Sequence, residues 1–214
     1  MDKEFWLERW QTGQTQFNSP DPNACLTEFF QFPKGLVFVP LCGASIDMAW
    51  LVNQGHQVVG IELSDLALNQ FIESQGLKGK WSLDPTSLKV FKDGDYQLYL
   101  GDYFLLTPKH LKDVNYVYDR AALVALPPAL RLKYVEKLLG LLKPQSQILL
   151  VTCEYPAAEM AGPPFSVPET EVRTLYSQAK KISLLKKEKK ELSPHLQEKG
   201  LKSFYYQLAF LIEV

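Results

Sequence analysis

Long apolar runs are missing from this sequence. No stretch approaches the ~18 consecutive apolar residues that mark a membrane-spanning helix, so no membrane contact is expected. The opening residues MDKEFWLERW are charged and lack the apolar heart of a secretory signal. Cysteine is scarce. The three present, Cys25, Cys42 and Cys153, are widely spaced and form no C-x-x-C pair. An odd, unpatterned set argues against a disulfide framework and against a zinc site, so no metal is expected. It suits a reducing, cytoplasmic setting. A charge excess is missing too: the formal net charge is −1, and no global field draws the chain to nucleic acid. There is no P-loop, no H-E-x-x-H, no G-x-S-x-G elbow and no internal repeat.

What remains is the composition of a soluble globular protein. With 214 residues, the chain is long enough for one large α/β domain with a sizeable core. Its organising stretch is Gly35–Ser64, GLVFVPLCGASIDMAWLVNQGHQVVGIELS. A short apolar run, Leu36–Val39, meets the turn Pro40-Leu41-Cys42-Gly43-Ala44-Ser45. A helical pattern capped by Ser45 then runs to Gln54 and stops at Gly55. A second apolar run, Val58–Ile61, ends on Glu62. Strand, turn, helix and strand in about 30 residues make a βαβ crossover.

Glu62 stands where doubly wound folds place a carboxylate that accepts hydrogen bonds from ribose hydroxyls, about 20 residues past the first turn. The turn has one glycine, where a pyrophosphate-binding turn wants G-x-G-x-x-G. A ribose-bearing ligand without phosphates against the turn fits this pattern. S-adenosyl-L-methionine answers that description and NAD does not. On the residues alone, Glu62 is equally a solvent-facing residue that ends a strand.

The rest of the chain repeats the same grammar. Residues 3–11 and Asn23–Gln31 read as short helices. Ser64 caps a helix whose stripe is Leu68, Phe71 and Ile72 and which stops at Gly76. Residues 77–95 read as a polar excursion, with Leu88–Phe91 and Tyr96–Leu100 forming a hairpin around Asp93-Gly94. On the residues alone, Asp102, just after that hairpin, reads as the N-cap of the next short helix. Asn115–Tyr118 is a strand. Arg120 comes after it at the carboxyl end of the sheet, where open α/β sheets bind ligands, unless it is held in a salt bridge with Asp119 or Glu62. Pro127-Pro128 opens a helix with Leu130, Tyr134, Leu138, Leu139 and Leu142 on its face. Gln147–Cys153 is a buried strand. The long Pro-rich connection Glu154–Pro168 reads as a wall or lid, or else as a passive loop. Glu169–Gln178 is the last crossover helix. The lysine-rich Lys180–Glu191 is a charge-protected edge strand, and Ser203–Val214 alternates as the closing strand.

The segments PLCGxSxDMxWL, GHxVVGIELS, YDRAALVALPP and GPPFxV, with W-x3-W-x6-F at the start, resemble the thiopurine S-methyltransferase family over nearly the whole chain. That resemblance implies a Rossmann-like class I methyltransferase. The sheet would be mostly parallel and seven-stranded, with an antiparallel last strand, helices on both faces and an N-terminal helical cover. One domain over 1–214 is expected, with 1–34 as cover and 35–214 as core. The resemblance implies S-adenosyl-L-methionine as cofactor, leaving S-adenosyl-L-homocysteine. Its contacts would be Trp10, Leu41, Gly43, Glu62, Asp102, Tyr103 and Arg120, with Asp102 accepting from the adenine amino group. Arg120 would lie beside the transferred methyl, with Phe17, Pro164 and Phe165 against the acceptor. On the residues alone, the N-terminal aromatics merely plug the sheet edge. Two positions depart from the family pattern: Ala44 stands where lysine is usual, and His195 where an arginine often holds the acceptor.

The implied reaction is in-line transfer to the sulfur of a small thiol. Proximity carries it, and a guanidinium favours the thiolate. Methylation of halide, thiocyanate, selenium or tellurium species is the alternative, as is a silent S-adenosylmethionine-binding protein. The partner expected is a small molecule and the chain is expected to be a monomer.

Overall fold

In the computed structural model, residues 3–214 are described; of the expected cover over 1–34, residues 1 and 2 lie outside them. The elements are α1 (Lys3–Gln11), α2 (Ala24–Phe29), β1 (Leu36–Val39), α3 (Ile46–Asn53), β2 (Gln57–Glu62), α4 (Asp65–Ser74), β3 (Lys80–Leu83), β4 (Lys89–Asp93), β5 (Tyr96–Leu100), α5 (Pro108–Leu111), β6 (Tyr116–Arg120), α6 (Pro128–Leu141), β7 (Gln147–Glu154), α7 (Glu169–Leu175), β8 (Lys181–Lys190), α8 (Pro194–Glu198) and β9 (Tyr205–Glu213).

Local chemistry sets the boundaries. The Asn23, Ser45 and Ser64 side chains accept the N–H groups of Cys25, Asp47 and Ala67 at the starts of α2, α3 and α4, which satisfies otherwise orphaned donors. Gly55 and Gly76 take left-handed φ of 86° and 62° just past the ends of α3 and α4.

One sheet runs in the order β3-β4-β5-β2-β1-β6-β7-β9-β8. The strands β5, β2, β1, β6 and β7 pair in parallel; β9 runs antiparallel between β7 and β8. Those seven strands are the expected sheet. Two more, β3 and β4, extend it antiparallel beyond β5, so the sheet has nine strands among the described residues. The fourth residue of the extension's edge, Leu83, is largely exposed, and β3 buries no residue. A strand without a buried face carries no periodic signal, which is why residues 80–83 read as loop.

Strand alternation feeds two cores. Val37 and Val39 pack with Leu26, Met48, Leu51 and Phe71 on one face. Phe38 packs with Leu111, Tyr134, Leu138 and Val172 on the other. Helix α6 buries Arg131, Tyr134, Val135, Leu138 and Leu141. That face is rotated from the expected one, which had Leu130, Leu139 and Leu142 in place of Arg131, Val135 and Leu141. The buried charge explains the rotation: Arg131 Nε donates to the Leu126 carbonyl at 3.0 Å and Nη1 to Glu171 at 2.6 Å. Ile72, expected in the α4 stripe, is only half-buried, and Ala67 takes the place beside Leu68 and Phe71.

Candidate active site

The carboxyl ends of β1, β2, β5, β6 and β7 open onto two adjoining cavities of about 230 and 280 Å³. The smaller lies against the β1–α3 turn and the larger against the Pro163-Pro164 loop. Trp6, Phe17, Arg120 and Ala121 line both.

The turn is wound tightly. Leu41 and Gly43 both have left-handed φ, 47° and 54°. A Cβ at Gly43 would come within 3.1 Å of Trp10 Cζ2, so this position suits only glycine without displacing the ring. Glu62 closes the turn from the end of β2. Its Oε2 accepts Gly43 N–H at 2.9 Å, and its Oε1 accepts Leu63 N–H at 2.7 Å and Ser64 N–H at 2.8 Å. Burial raises the Glu62 carboxyl above its usual range, and the three N–H donors pull it back in part. A carboxylate offers roughly four acceptor positions. Three are taken by backbone, and the residue lines the turn-side cavity, so acceptor capacity remains for a hydroxyl. A phosphate has no such welcome, because Gly43 N–H already serves an anion.

Asp102 and Tyr103 form the next stretch of wall. Asp102 is indeed an N-cap: its Oδ1 accepts Phe104 N–H at 2.9 Å. It also lines the cavity, with Oδ2 at 2.7 Å from Lys3 Nζ. Burial pushes its carboxyl up, but Lys3 and the Phe104 N–H bring it net below the ordinary aspartate value. Tyr103 donates to the Tyr134 carbonyl at 3.2 Å, and burial with nearby Asp119 raises its phenol.

The N-terminal segment supplies the cover. Phe17 meets Trp10 edge-on at 5.5 Å and Trp6 at 5.7 Å between ring centroids. Trp10 borders only the turn-side cavity, whereas Phe17 borders both, a broader position than acceptor contact alone. Arg120 Nη1 donates to the Phe17 carbonyl at 3.1 Å. No salt bridge joins Arg120 to Asp119 or Glu62 among the described residues. Asp119 is instead turned inward, accepting Tyr134 O–H at 2.7 Å and Leu123 N–H at 3.1 Å.

Pro164 lines the loop-side cavity, whereas Phe165, expected beside it against the acceptor, lines neither cavity. The Phe165 backbone is pinned by its N–H to the Val124 carbonyl at 2.7 Å and by its own carbonyl to Cys153 Sγ at 3.4 Å. This aims its ring at Arg131, whose Cζ sits 5.7 Å from the centroid. Tyr155 O–H holds the Pro164 carbonyl.

Sequence reasoning missed Trp6, Arg9, Thr152 and Lys199 on the loop-side wall, along with the buried Asp119–Tyr134 pair behind it. Arg9 sits inside W-x3-W, and only its one-turn offset from Trp6 on α1 hinted that it faces the same way. His195 lies on α8 and lines this cavity. Cys42 is buried, with its thiol raised by burial and by Glu62, and suits packing rather than nucleophilic attack. Among the described residues, no group of three His, Cys, Asp or Glu converges as for a metal, and no helix is long and apolar enough to cross a membrane.

The chain is similar to known proteins in sequence and in fold. The family profile described as Thiopurine S-methyltransferase (TPMT) matches residues 1–212. Thiopurine S-methyltransferase of Methylococcus capsulatus is 43% identical, over 94% of this chain and 93% of its own. That of Aliivibrio fischeri strain MJ11 is 39% identical with full coverage of both, 100% and 100%. Among solved structures, magnesium protoporphyrin IX methyltransferase from Synechocystis with bound SAH superposes with a TM-score of 0.63 at 12% identity, covering 100% of both chains. Burkholderia thailandensis 1,6-didemethyltoxoflavin-N1-methyltransferase, with S-adenosylhomocysteine bound, gives 0.60 at 13% identity over 99% of this chain and 87% of its own. At such identities these two establish the fold.

Proposed function

This chain belongs to the thiopurine S-methyltransferase family, an S-adenosylmethionine-dependent methyltransferase, and on that premise we propose that it methylates the sulfur of a small thiol. When bound, S-adenosylmethionine supplies a methyl carbon already activated by its sulfonium sulfur. The chain's own residues need to hold it, align a soft nucleophile and exclude water.

In this reading, the turn-side cavity is the cofactor site. Glu62 accepts from the ribose hydroxyls with its remaining lone pair. Leu41, Gly43 and Tyr103 form the walls, Asp102 stands at the adenine end, and Trp10 covers the ligand. The loop-side cavity takes the acceptor, between Phe17 and Pro164. Arg120 serves both. Its guanidinium stays protonated and favours the thiolate over the thiol without acting as a base. The observation that carries this reading is the position of Arg120 on the wall shared by the two cavities, tied to the cover through Phe17. We further read the chain as a cytoplasmic monomer acting on a small molecule.

Separate calorimetric titrations with S-adenosylmethionine and with NAD, then an acceptor screen led by aromatic and heterocyclic thiols, test the proposal. Binding of the first ligand alone, with methyl transfer to sulfur, is expected. Transfer to halide or to selenium or tellurium species, with thiols inert, would replace the proposed acceptor.

A further inference from the structure

Among the described residues, the loop-side cavity is lined by four basic side chains, Arg9, Arg120, His195 and Lys199, and by no aspartate or glutamate. Arg120 is shared with the turn-side cavity; Arg9, His195 and Lys199 are not. Three of the four basic side chains therefore line only the larger cavity, apart from the wall that Arg120 shares with the smaller one.

Two of these cations belong together. Lys199 Nζ donates to the Pro163 carbonyl at 2.8 Å. An ammonium has three donors, so two remain. Burial lowers the Lys199 ammonium and the nearby Arg9 lowers it further, as like charges do. Arg9 Nη1 donates to Gln14 at 2.9 Å, and its Cζ lies 4.6 Å over the Phe5 ring. Its Nε is buried without a partner. Neither cation has a carboxylate partner among the described ion pairs. Two cations held near each other at a cavity wall without an anion cost free energy, unless a ligand supplies the charge.

A second observation points the same way. Thr152, on the β7 part of the same wall, is 2% exposed, and its hydroxyl is buried with no hydrogen-bond partner. An unsatisfied buried donor calls for an acceptor atom. Unpaired donors and excess positive charge thus line one cavity that holds no acid among the described residues.

We propose that Arg9 and Lys199 form an anion subsite, so that the methyl acceptor is a small thiol carrying a carboxylate-sized anionic group at the end remote from its sulfur. The anion is held by Arg9 and Lys199, and the ligand body lies along Thr152. This rests on the reading of the loop-side cavity as the acceptor site.

The test uses 4-mercaptobenzoate, its methyl ester and benzoate, titrated calorimetrically into the intact protein saturated with S-adenosylhomocysteine, so that no turnover intervenes. The acid is expected to bind at least about tenfold more tightly than the ester, as a charge-assisted pair requires. Lys199→Met and Arg9→Met each remove most of that preference and leave ester affinity unchanged. Circular dichroism and ester binding report whether each variant folds. Equal affinity for acid and ester in the unaltered protein, or variants that weaken both ligands alike, overturns the subsite. Benzoate separates this from the thiol reading. Benzoate binding that Lys199→Met weakens sustains the subsite even if no thiol is methylated. Methylation of the ester as fast as the acid, without tighter binding of the acid, rejects the subsite and leaves the thiol reading intact.

Discussion

Arg120 Nη1 lies 3.1 Å from the main-chain carbonyl of Phe17, joining the end of β6 to the N-terminal cover across 103 positions of sequence. The contact ties the cover to the guanidinium, beside the Lys3–Asp102 ion pair that ties it to the end of β5. With Phe17 packed edge-on against Trp6 and Trp10, one side chain both lines the two cavities and bonds the N-terminal segment that borders them.

Replacing Arg120 by alanine is accordingly expected to lower kcat by about 100-fold, the scale of a lost positioning contact, while cofactor affinity falls less. The loss is expected to grow with the solution pKa of the acceptor thiol, since a thiol already ionised needs no cation to favour the thiolate. Lysine at this position keeps the charge but not the planar fork, and is expected to recover only part of the activity. Steady-state rates over a series of substituted thiophenols check this. A loss independent of acceptor pKa would assign Arg120 to holding the cover alone.

Glu62 is the second case. Its three backbone donors, Gly43, Leu63 and Ser64, and its place on the cavity wall make it both a brace for the turn and an acceptor for a ligand hydroxyl. Glu62→Ala is expected to raise the dissociation constant for S-adenosylmethionine by about 10- to 100-fold, and to cost about 1–3 kcal/mol of stability through unsatisfied N–H groups. Calorimetry and chemical denaturation measure the two separately. Unchanged cofactor affinity would leave Glu62 as a structural brace only.

These two residues also show how far the sequence is legible. The β1–α3–β2 unit stands out because caps, left-handed stops and strand runs agree on its boundaries: Leu36–Val39 ends at the turn, Ser45 and Gly55 bracket the helix, and Glu62 ends the second strand. Arg120 is legible by position, since it ends a strand. Phe165 is misread because its motif lies in a loop. There, direction is set by long-range backbone bonds to Val124 and Cys153, and these turn the ring toward Arg131. Buried Arg131 is hidden for a related reason. A charge on a helical stripe reads as exposed unless its partner, here Glu171 from α7, is known. The β3 edge strand has no buried face to produce a pattern. Apart from Arg120 at the end of β6, the basic side chains of the loop-side cavity come from α1 and from α8 with the residue that follows it, far apart in the chain, and only the fold brings them together.

Gly43 tests the fit between turn and cover. Alanine there meets a left-handed φ of 54° and places its Cβ 3.1 Å from Trp10 Cζ2. Gly43→Ala is expected to cost about 1–2 kcal/mol from backbone conformation and to displace the indole from the turn-side cavity. Thermal unfolding with and without S-adenosylhomocysteine reads both effects: a lower Tm, and a smaller rise on adding ligand. If the ligand-induced rise is unchanged, Trp10 is not part of the ligand's cover.

Asp119 gives the pH dependence. It is fully buried, accepts Tyr134 O–H at 2.7 Å and Leu123 N–H at 3.1 Å, and has its carboxyl raised from 3.8 to about 6 by burial, which outweighs those bonds. The folded chain therefore binds this proton more tightly than the unfolded chain. Between about pH 4 and pH 6 the native state keeps a proton that the unfolded state has lost, so stability from this group is full below the lower value and falls as pH rises through the upper one. The loss is about 3 kcal/mol when the two values are compared at about 1.36 kcal/mol per pKa unit. Other carboxylates, such as Asp102 with its lowered pKa, work in the opposite sense at more acid pH, so the wild-type profile alone does not isolate the effect. The Asp119→Asn variant does. Its stability relative to wild type, from urea denaturation, is expected to improve steadily from about pH 4 to pH 7, because only the wild type carries the buried charge at neutral pH. A wild-type-to-variant difference that stays constant over that range would mean that Asp119 titrates in the folded protein as it does in the unfolded chain.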